Sequence, residues 1–308
     1  MPHISNKGIS WAVVTAVISG FSIFLNKFAS SAVTPPLFFT GLKNLTVGFM
    51  LILLVVITRK ARLIRGITIK ELIYLLAIGV IGGSLPFYLF FTGLSQISAV
   101  NAAIIHKTLF LWVALFAYPL LKEKLSKKQI FAAFLVMSGN LIIGGFEKFS
   151  YSRGELMVLG ATILWAIENI LAKKVLAKID PDIVSLFRMG IGSLILCAVL
   201  FIDMLKVGQA SFLLKENQIF WLLVTSVLLL AYVLSWYRAL KYSPAVNVTA
   251  ILTISTLITN FLSAVILTHS WNYALTLQSI LIFFGVLIFI KTDKKSLTKD
   301  QLVVGQNS

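Results

Sequence analysis

Acidic residues are scarce in this chain, with 11 Asp and Glu among 308 residues against 27 Lys and Arg. Charged residues of both signs make up only 12%, too few to cover a soluble globule of this length. The one cysteine, Cys197, sits in an apolar stretch, which excludes intrachain disulfides, cysteine clusters and iron–sulfur sites. The three histidines and this cysteine show no metal-ligand spacing, and neither a phosphate-binding glycine loop nor a nucleophile elbow occurs. Nothing here reads as an enzyme, no metal or cofactor is implied, and without a Walker motif ATP is not the direct energy source in this chain.

What fills the sequence instead is apolar. The hydrophobic fraction is 58% and the mean hydropathy +0.95. A membrane helix needs roughly 20 such residues. Ten stretches qualify, over 9–29, 37–57, 72–94, 99–121, 129–146, 154–176, 183–204, 218–240, 246–268 and 273–291. The fold class expected is an all-α polytopic membrane protein with ten transmembrane helices. The first stretch is too long for a signal peptide and lacks a convincing small-residue cleavage site, so it reads as an uncleaved helix.

An internal echo organises these spans. Lys7-Gly8 returns as Arg153-Gly154, and Ala99-Val100-Asn101 as Ala245-Val246-Asn247, both at an offset of 146 residues. Five spans fall in each half, and five is odd, so the second copy enters the bilayer from the opposite side. Two inverted five-helix repeats are the expectation, over 1–147 and 148–291, followed by a cytoplasmic tail over 292–308. This is the architecture of solute carriers that alternate around a site between the halves.

The net charge of +16 invites a nucleic-acid partner, but its distribution points to the lipid bilayer. With the N-terminus in the cytoplasm, 18 basic residues fall on the inner side, among them Arg59, Lys60, Arg62, Arg65, Lys122, Lys124, Lys127 and Lys128. Only four, Lys148, Arg153, Lys206 and Lys215, fall outside. That bias predicts an integral protein of the cell (inner) membrane with both termini cytoplasmic and no nucleic-acid role. It also opposes the halves: the turn Ser95–Ser98 carries no basic residue, whereas its counterpart carries Lys241.

The stretch Gly93-Leu94-Ser95, Ala99 to Ile105 and Leu121-Lys122-Glu123-Lys124-Leu125 resembles the drug/metabolite transporter superfamily, in its ten-helix, EamA-like type. The likeness runs from about Gly8 to Lys291. The family's fourth helix closes on a Gly-Glu-Arg-like motif, and Glu123 falls on that Glu; 146 residues on stands His269, so the motif is lost in the second repeat. Where members often carry Glu-Pro in mid-helix, this chain has Leu109-Phe110, preceded by His106-Lys107-Thr108. The resemblance implies a central cavity lined by helices one, three, four, six, eight and nine, and implies export. A basic residue early in helices two and seven also matches the family.

Polar groups inside apolar spans are costly to place and mark function by default. Glu168 is the one acidic residue deep within a span. It reads as a proton-coupling group, a ligand for a substrate amine, or a structural partner for a cation. Lys107 faces a solute carboxylate or phosphate, or pairs with Glu168; its neighbour His106 is a second candidate or a neutral contact between helices. Trp165, three residues before Glu168, shares its helix face and could cradle an ammonium group. Asn169, Tyr88 and Trp236 complete the expected site. Asn101 and Asn247, at matched helix starts, either cap those helices or line the pseudo-symmetric centre.

Lys43 and Arg188 stand seven residues after Pro36 and Pro181 respectively. They read as gating or structural contacts near opposite membrane faces, or as snorkelling cations. Pro86, beside Gly79, Gly82 and Gly83, should kink the third helix and make it a gate. The function expected is a secondary transporter of small polar metabolites such as amino acids, as monomer or homodimer, facilitative or coupled to an ion such as the proton. A lipid or lipid-linked-sugar translocase is the alternative, and a channel a further one.

Overall fold

The computed structural model describes residues 5–32, 36–142, 149–207 and 214–305, with side chains for all of these except 30–32, 203–207 and 293–305. Lys148, and the side chains of Lys206, Lys294, Lys295 and Lys299 used in the charge sorting, lie outside the described residues. Every regular element among those described is helical.

Ten segments cross the molecule. The first is α1 (Asn6–Ala32) and the second α2 (Pro36–Ile57), followed by the single-turn α3 (Ala61–Ile64). The third is split into α4 (Ile69–Gly83) and α5 (Leu85–Leu94), the fourth into α6 (Ala99–Lys107) and α7 (Leu109–Leu121), and α8 (Lys127–Ile142) is the fifth. The second half runs through α9 (Arg153–Val175), α10 (Pro181–Val207) and α11 (Glu216–Tyr242). Its fourth crossing is α12 (Ala245–Leu252) and α13 (Ile254–Leu262) with a π-helical extension over Ser263–Thr268, and its fifth is α14 (Tyr273–Gly305). Nine of these crossings are long and apolar enough to span a bilayer. The exception, α8, has 16 described residues; the rest of its expected span, 143–146, lies outside them.

The breaks follow local chemistry. Both fourth crossings break at a threonine, where the Thr108 hydroxyl donates to Ile105 O and the Thr253 hydroxyl to Ala250 O, each at 2.6 Å. A hydroxyl that bonds its own helix competes with the backbone ladder and bends it. The third crossing breaks at Ser84, two residues before Pro86, which stands in the first turn of α5. Its counterpart α11 has no proline and is continuous.

Contacts establish the inversion. A Cβ on Gly8 would meet the Tyr242 backbone at 2.8 Å, and one on Gly154, 146 residues later, would meet Gly93 O at 2.9 Å. Each repeat thus lays the start of its first crossing on the end of the other's third. These two contacts lie at opposite ends of α9, since Lys173 near its C-terminus reaches Ser243 O at 2.6 Å while Glu155 near its N-terminus reaches Asn101. The pairings α1 with α11, α9 with α5, α2 with α10 and α8 with α14 complete the pattern.

One end of the bundle, the basic face, is cross-tied between repeats. Lys60 of the first repeat reaches Asp182 at 2.6 Å and Asp180 at 2.9 Å in the second, and within the second repeat Arg238 reaches Asp182 at 2.6 Å. Glu123, at the end of α7, accepts from Ala245 N at 3.0 Å and Val246 N at 3.3 Å, so the first repeat caps α12 of the second. Burial lowers the Lys60 ammonium, but its bonds to Asp182 and Asp180 outweigh this and raise it above its ordinary value. Its stabilising contribution is therefore complete below that ordinary value and is lost only as pH rises through the raised one.

The tightest helix contact joins α4 and α10. A Cβ on Gly83 would lie 2.8 Å from Gly192 Cα. Gly192→Val should lower stability by about 1–3 kcal/mol through overpacking, whereas Gly160→Ala, whose new methyl would meet nothing nearer than Leu89 at 3.9 Å, should raise it by about 0.5–1 kcal/mol. Thermal unfolding of the two variants in detergent checks the contrast; equal midpoints would contradict it.

Candidate functional site

Three helices meet where the α4–α10 contact brings them together. Glu168 of α9, Arg188 of α10 and Tyr237 of α11 are 2%, 8% and 0% exposed. The Tyr237 hydroxyl donates to Glu168 Oε1, and Arg188 Nε lies 3.8 Å from the same oxygen. Gly82 of α4 completes the group, because a Cβ there would come within 2.9 Å of Glu168 Cδ and 3.3 Å of Arg188 Nε. Seven residues separate Glu168 from the end of α9, and Arg188 from the start of α10, about 10 Å in each case at 1.5 Å per residue. The pair therefore lies in the half of the bundle nearer the basic face.

Arg188 is incompletely bonded. Its Nη1 reaches Met189 Sδ at 3.3 Å, a weak acceptor, and its Nε has no hydrogen-bond acceptor among the described residues. A fork-type Arg–carboxylate pair closes to about 2.7–2.9 Å, so 3.8 Å marks mutual charge compensation without the two parallel bonds. The guanidinium also lies 5.9 Å from the Phe87 ring.

An aromatic wall continues from this pair. Trp165 lies 5.3 Å from Phe87, 5.6 Å from Phe90 and 4.9 Å from His106, measured between ring centroids. Its indole N–H donates to Gly82 O at 3.2 Å. That carbonyl is the one Pro86 leaves without its i+4 donor, so Trp165 replaces the missing backbone bond. His106 Nδ1 is buried and has no hydrogen-bond partner among the described residues. One turn along, Trp236 Nε1 donates to Asn169 Oδ1 at 3.1 Å, and Trp236 stacks on Tyr232.

Of the residues expected from sequence, the structure brings together Glu168, Trp165, His106, Asn169 and Trp236, and adds Arg188, which the sequence assigns to gating. The anticipated pairing of Glu168 with Lys107 is corrected: the cation beside Glu168 is Arg188, and Lys107, at the end of α6, meets no carboxylate among the described residues. Tyr88 has no hydrogen bond or ring contact to the group among those residues. Asn101 and Asn247 lie at the two ends of the bundle and cap neither helix. Ser98 caps α6 and Glu123 caps α12, while Asn101 bonds Glu155 at 3.3 Å and Asn247 accepts from Gln129 at 3.4 Å. Lys43 donates to Asn26 Oδ1 at 3.3 Å on α1, away from the Glu168 group. Pro86 does break its crossing.

Two such halves are also found by comparison. A family model, the EamA-like transporter family, matches residues 6–145 and again 152–291. The chain belongs to the EamA-like transporter family. Within 136 residues it is 29% identical to the uncharacterized transporter YyaM of Bacillus subtilis, covering 42% of this chain and 45% of that one. An uncharacterized transporter of Methanothermobacter thermautotrophicus is 27% identical over 120 residues, 37% of this chain and 35% of that one. The chain thus matches less than half the length of each of these curated relatives. A protein of known crystal structure, 18% identical, superposes with a TM-score of 0.74 over 94% of this chain and 99% of its own, a likeness of fold alone. This EamA-like chain is accordingly a polytopic membrane protein built of two inverted repeats.

Gly82 O is buried with Trp165 as its replacement donor, so Trp165→Phe should cost about 1–3 kcal/mol. Pro86→Ala restores a backbone N–H, and in the double variant the loss should be smaller than the sum of the single ones. A double-mutant cycle on unfolding midpoints tests this, and strict additivity would count against the replacement bond.

Proposed function

We propose that this chain is a secondary transporter of small zwitterionic metabolites, amino acids among them, working by alternating access between its two repeats. The observation that carries the reading is the Glu168–Arg188 pair. Two opposite charges are buried in one bundle, close enough to compensate each other and too far apart to saturate each other. A solute's carboxylate can take the free donors of the Arg188 fork, and its ammonium group can take Glu168. The Trp165–Phe87–Phe90–His106 wall offers π faces to the rest of the solute. The basic-face ties close one end of the pathway, and their opening admits solute from that side. Export is the family-level expectation.

A second reading has one observation in its favour. A groove of about 520 Å³ lined by Ile104, Thr108, Trp112, Met137, Phe149 and Leu159 is almost wholly apolar. It has the character of an acyl-chain site, as a lipid translocase would require. Neither Glu168 nor Arg188 lines it, and that ranks this reading second.

The test is release of metabolites from liposomes loaded with a cytosolic extract, identified by mass spectrometry. Solutes bearing both amine and carboxylate should leave with the wild type. With Glu168→Gln or Arg188→Gln, apparent affinity should fall about 10- to 100-fold, as loss of one charged hydrogen bond implies. Wild-type release by both variants would refute the assignment, and retention of every soluble metabolite by folded wild-type protein would turn attention to lipid-linked substrates.

A further inference from the structure

The two repeats share a cation at one register position, but only one copy has a carboxylate. Arg188 follows Pro181 by seven residues and faces Glu168 on α9. Lys43 follows Pro36 by the same seven and faces α1, the counterpart of α9. The residue 146 positions before Glu168 is Ser22. Lys43 Nζ donates to Asn26 Oδ1 at 3.3 Å, and Asn26 Nδ2 turns back to Ser22 O at 2.7 Å and Ser22 Oγ at 3.2 Å. In the first repeat, then, serine and a neutral amide stand where the second repeat has its acid.

This leaves Lys43 short of charge compensation among the described residues. Among the described residues, Lys60, Arg188 and Arg238 reach carboxylates, and Lys173 reaches the last carbonyls of α11. Lys43 meets the Asn26 amide oxygen and, at 5.5 Å, the face of Phe39. These contacts hold the ammonium between α1 and α2, about 10 Å from the helix start at 1.5 Å per residue, instead of at the headgroups. A cation there with only neutral neighbours among the described residues is costly and calls for an anion. Because α2 begins at the end opposite the basic face, Lys43 and Arg188 lie in opposite halves of the bundle.

We propose that Lys43 is a second station for the solute's carboxylate, occupied when the pathway opens to the face opposite the basic one. Arg188 holds the carboxylate in one half and Lys43 in the other. Asn26 keeps the ammonium in place without neutralising it. The inference rests on the zwitterion reading above and extends it to a residue outside the Glu168 group.

The experiment installs the missing acid. Proteoliposomes of the full chain are loaded with the twenty common amino acids, and release is followed by mass spectrometry for wild type, Asn26→Asp, Lys43→Gln, Lys43→Arg and Glu168→Gln. Asn26→Asp should raise the unfolding midpoint, since it neutralises a confined cation, and yet cut release tenfold or more by occupying Lys43. Lys43→Gln should lose release, and Lys43→Arg, which keeps the charge, should retain much of it. A purely structural Lys43 would show stability and release moving together. If Glu168→Gln loses release while Asn26→Asp and Lys43→Gln keep it, the second station alone is overturned. If the wild type releases no amino acid, the zwitterion reading falls, and the station falls with it.

Discussion

The backbones of α4 and α10 touch at Gly83 and Gly192 with no side chain between them, and the interior chemistry depends on that contact. Because Gly82 follows the same close approach, α9 can bring Glu168 against it, and Arg188 reaches in from α10 on the other side. A methyl group at position 82 would occupy the space these two side chains use. The charges are therefore juxtaposed by the absence of side chains on α4. This helix also ends next to the break at Ser84, where Pro86 strands a carbonyl and Trp165 recovers it. One stretch of α4 thus fixes the ion pair, the aromatic wall and the kink together.

The ends of the bundle are held by different chemistry. At the basic face, carboxylates do the cross-tying: Asp182 binds both Lys60 and Arg238, and Glu123 caps the opposing repeat's α12. At the other end the inter-repeat contacts include a glycine pair, Gly93 with Gly154, a bond from Asn101 to Glu155 and one from Lys27 to Ser263. An end tied by charges opens at greater electrostatic cost than one tied by small-residue packing. The observed arrangement is the one in which the charged ties are made.

Much of the architecture was legible in the residues. The 146-residue echo locates the inverted halves, and the echoed glycines, Gly8 and Gly154, prove to be the points where each repeat touches the other. Pro86 announces its break. The site was legible only in part, for a geometric reason. Depth along a helix can be counted from its end, so Glu168 and Lys107 look like partners at similar depth, but depth does not say which helices are neighbours. Arg188 was assigned to a membrane face by the same count, although it lies about 10 Å inside, where α9 passes. Asn101 and Asn247 look like caps because they open helices, yet each sits at the third helical position, one turn too late. The residue that caps α12, Glu123, comes from the other repeat, and no local pattern reveals a donor–acceptor match across 122 residues.

Symmetry of fold is combined here with asymmetry of side chains. The repeats share helix order, threonine breaks in their fourth crossings and a basic residue seven positions into their second. They differ at Glu168, matched by Ser22, and at Pro86, matched by no proline in the continuous α11. If both repeats carried the acid, each cation would have a compensating charge beside it. If neither did, two confined cations would face each other's field without compensation in a low-dielectric interior. Of the two matched cations, then, one has a carboxylate beside it and the other, among the described residues, has only neutral partners.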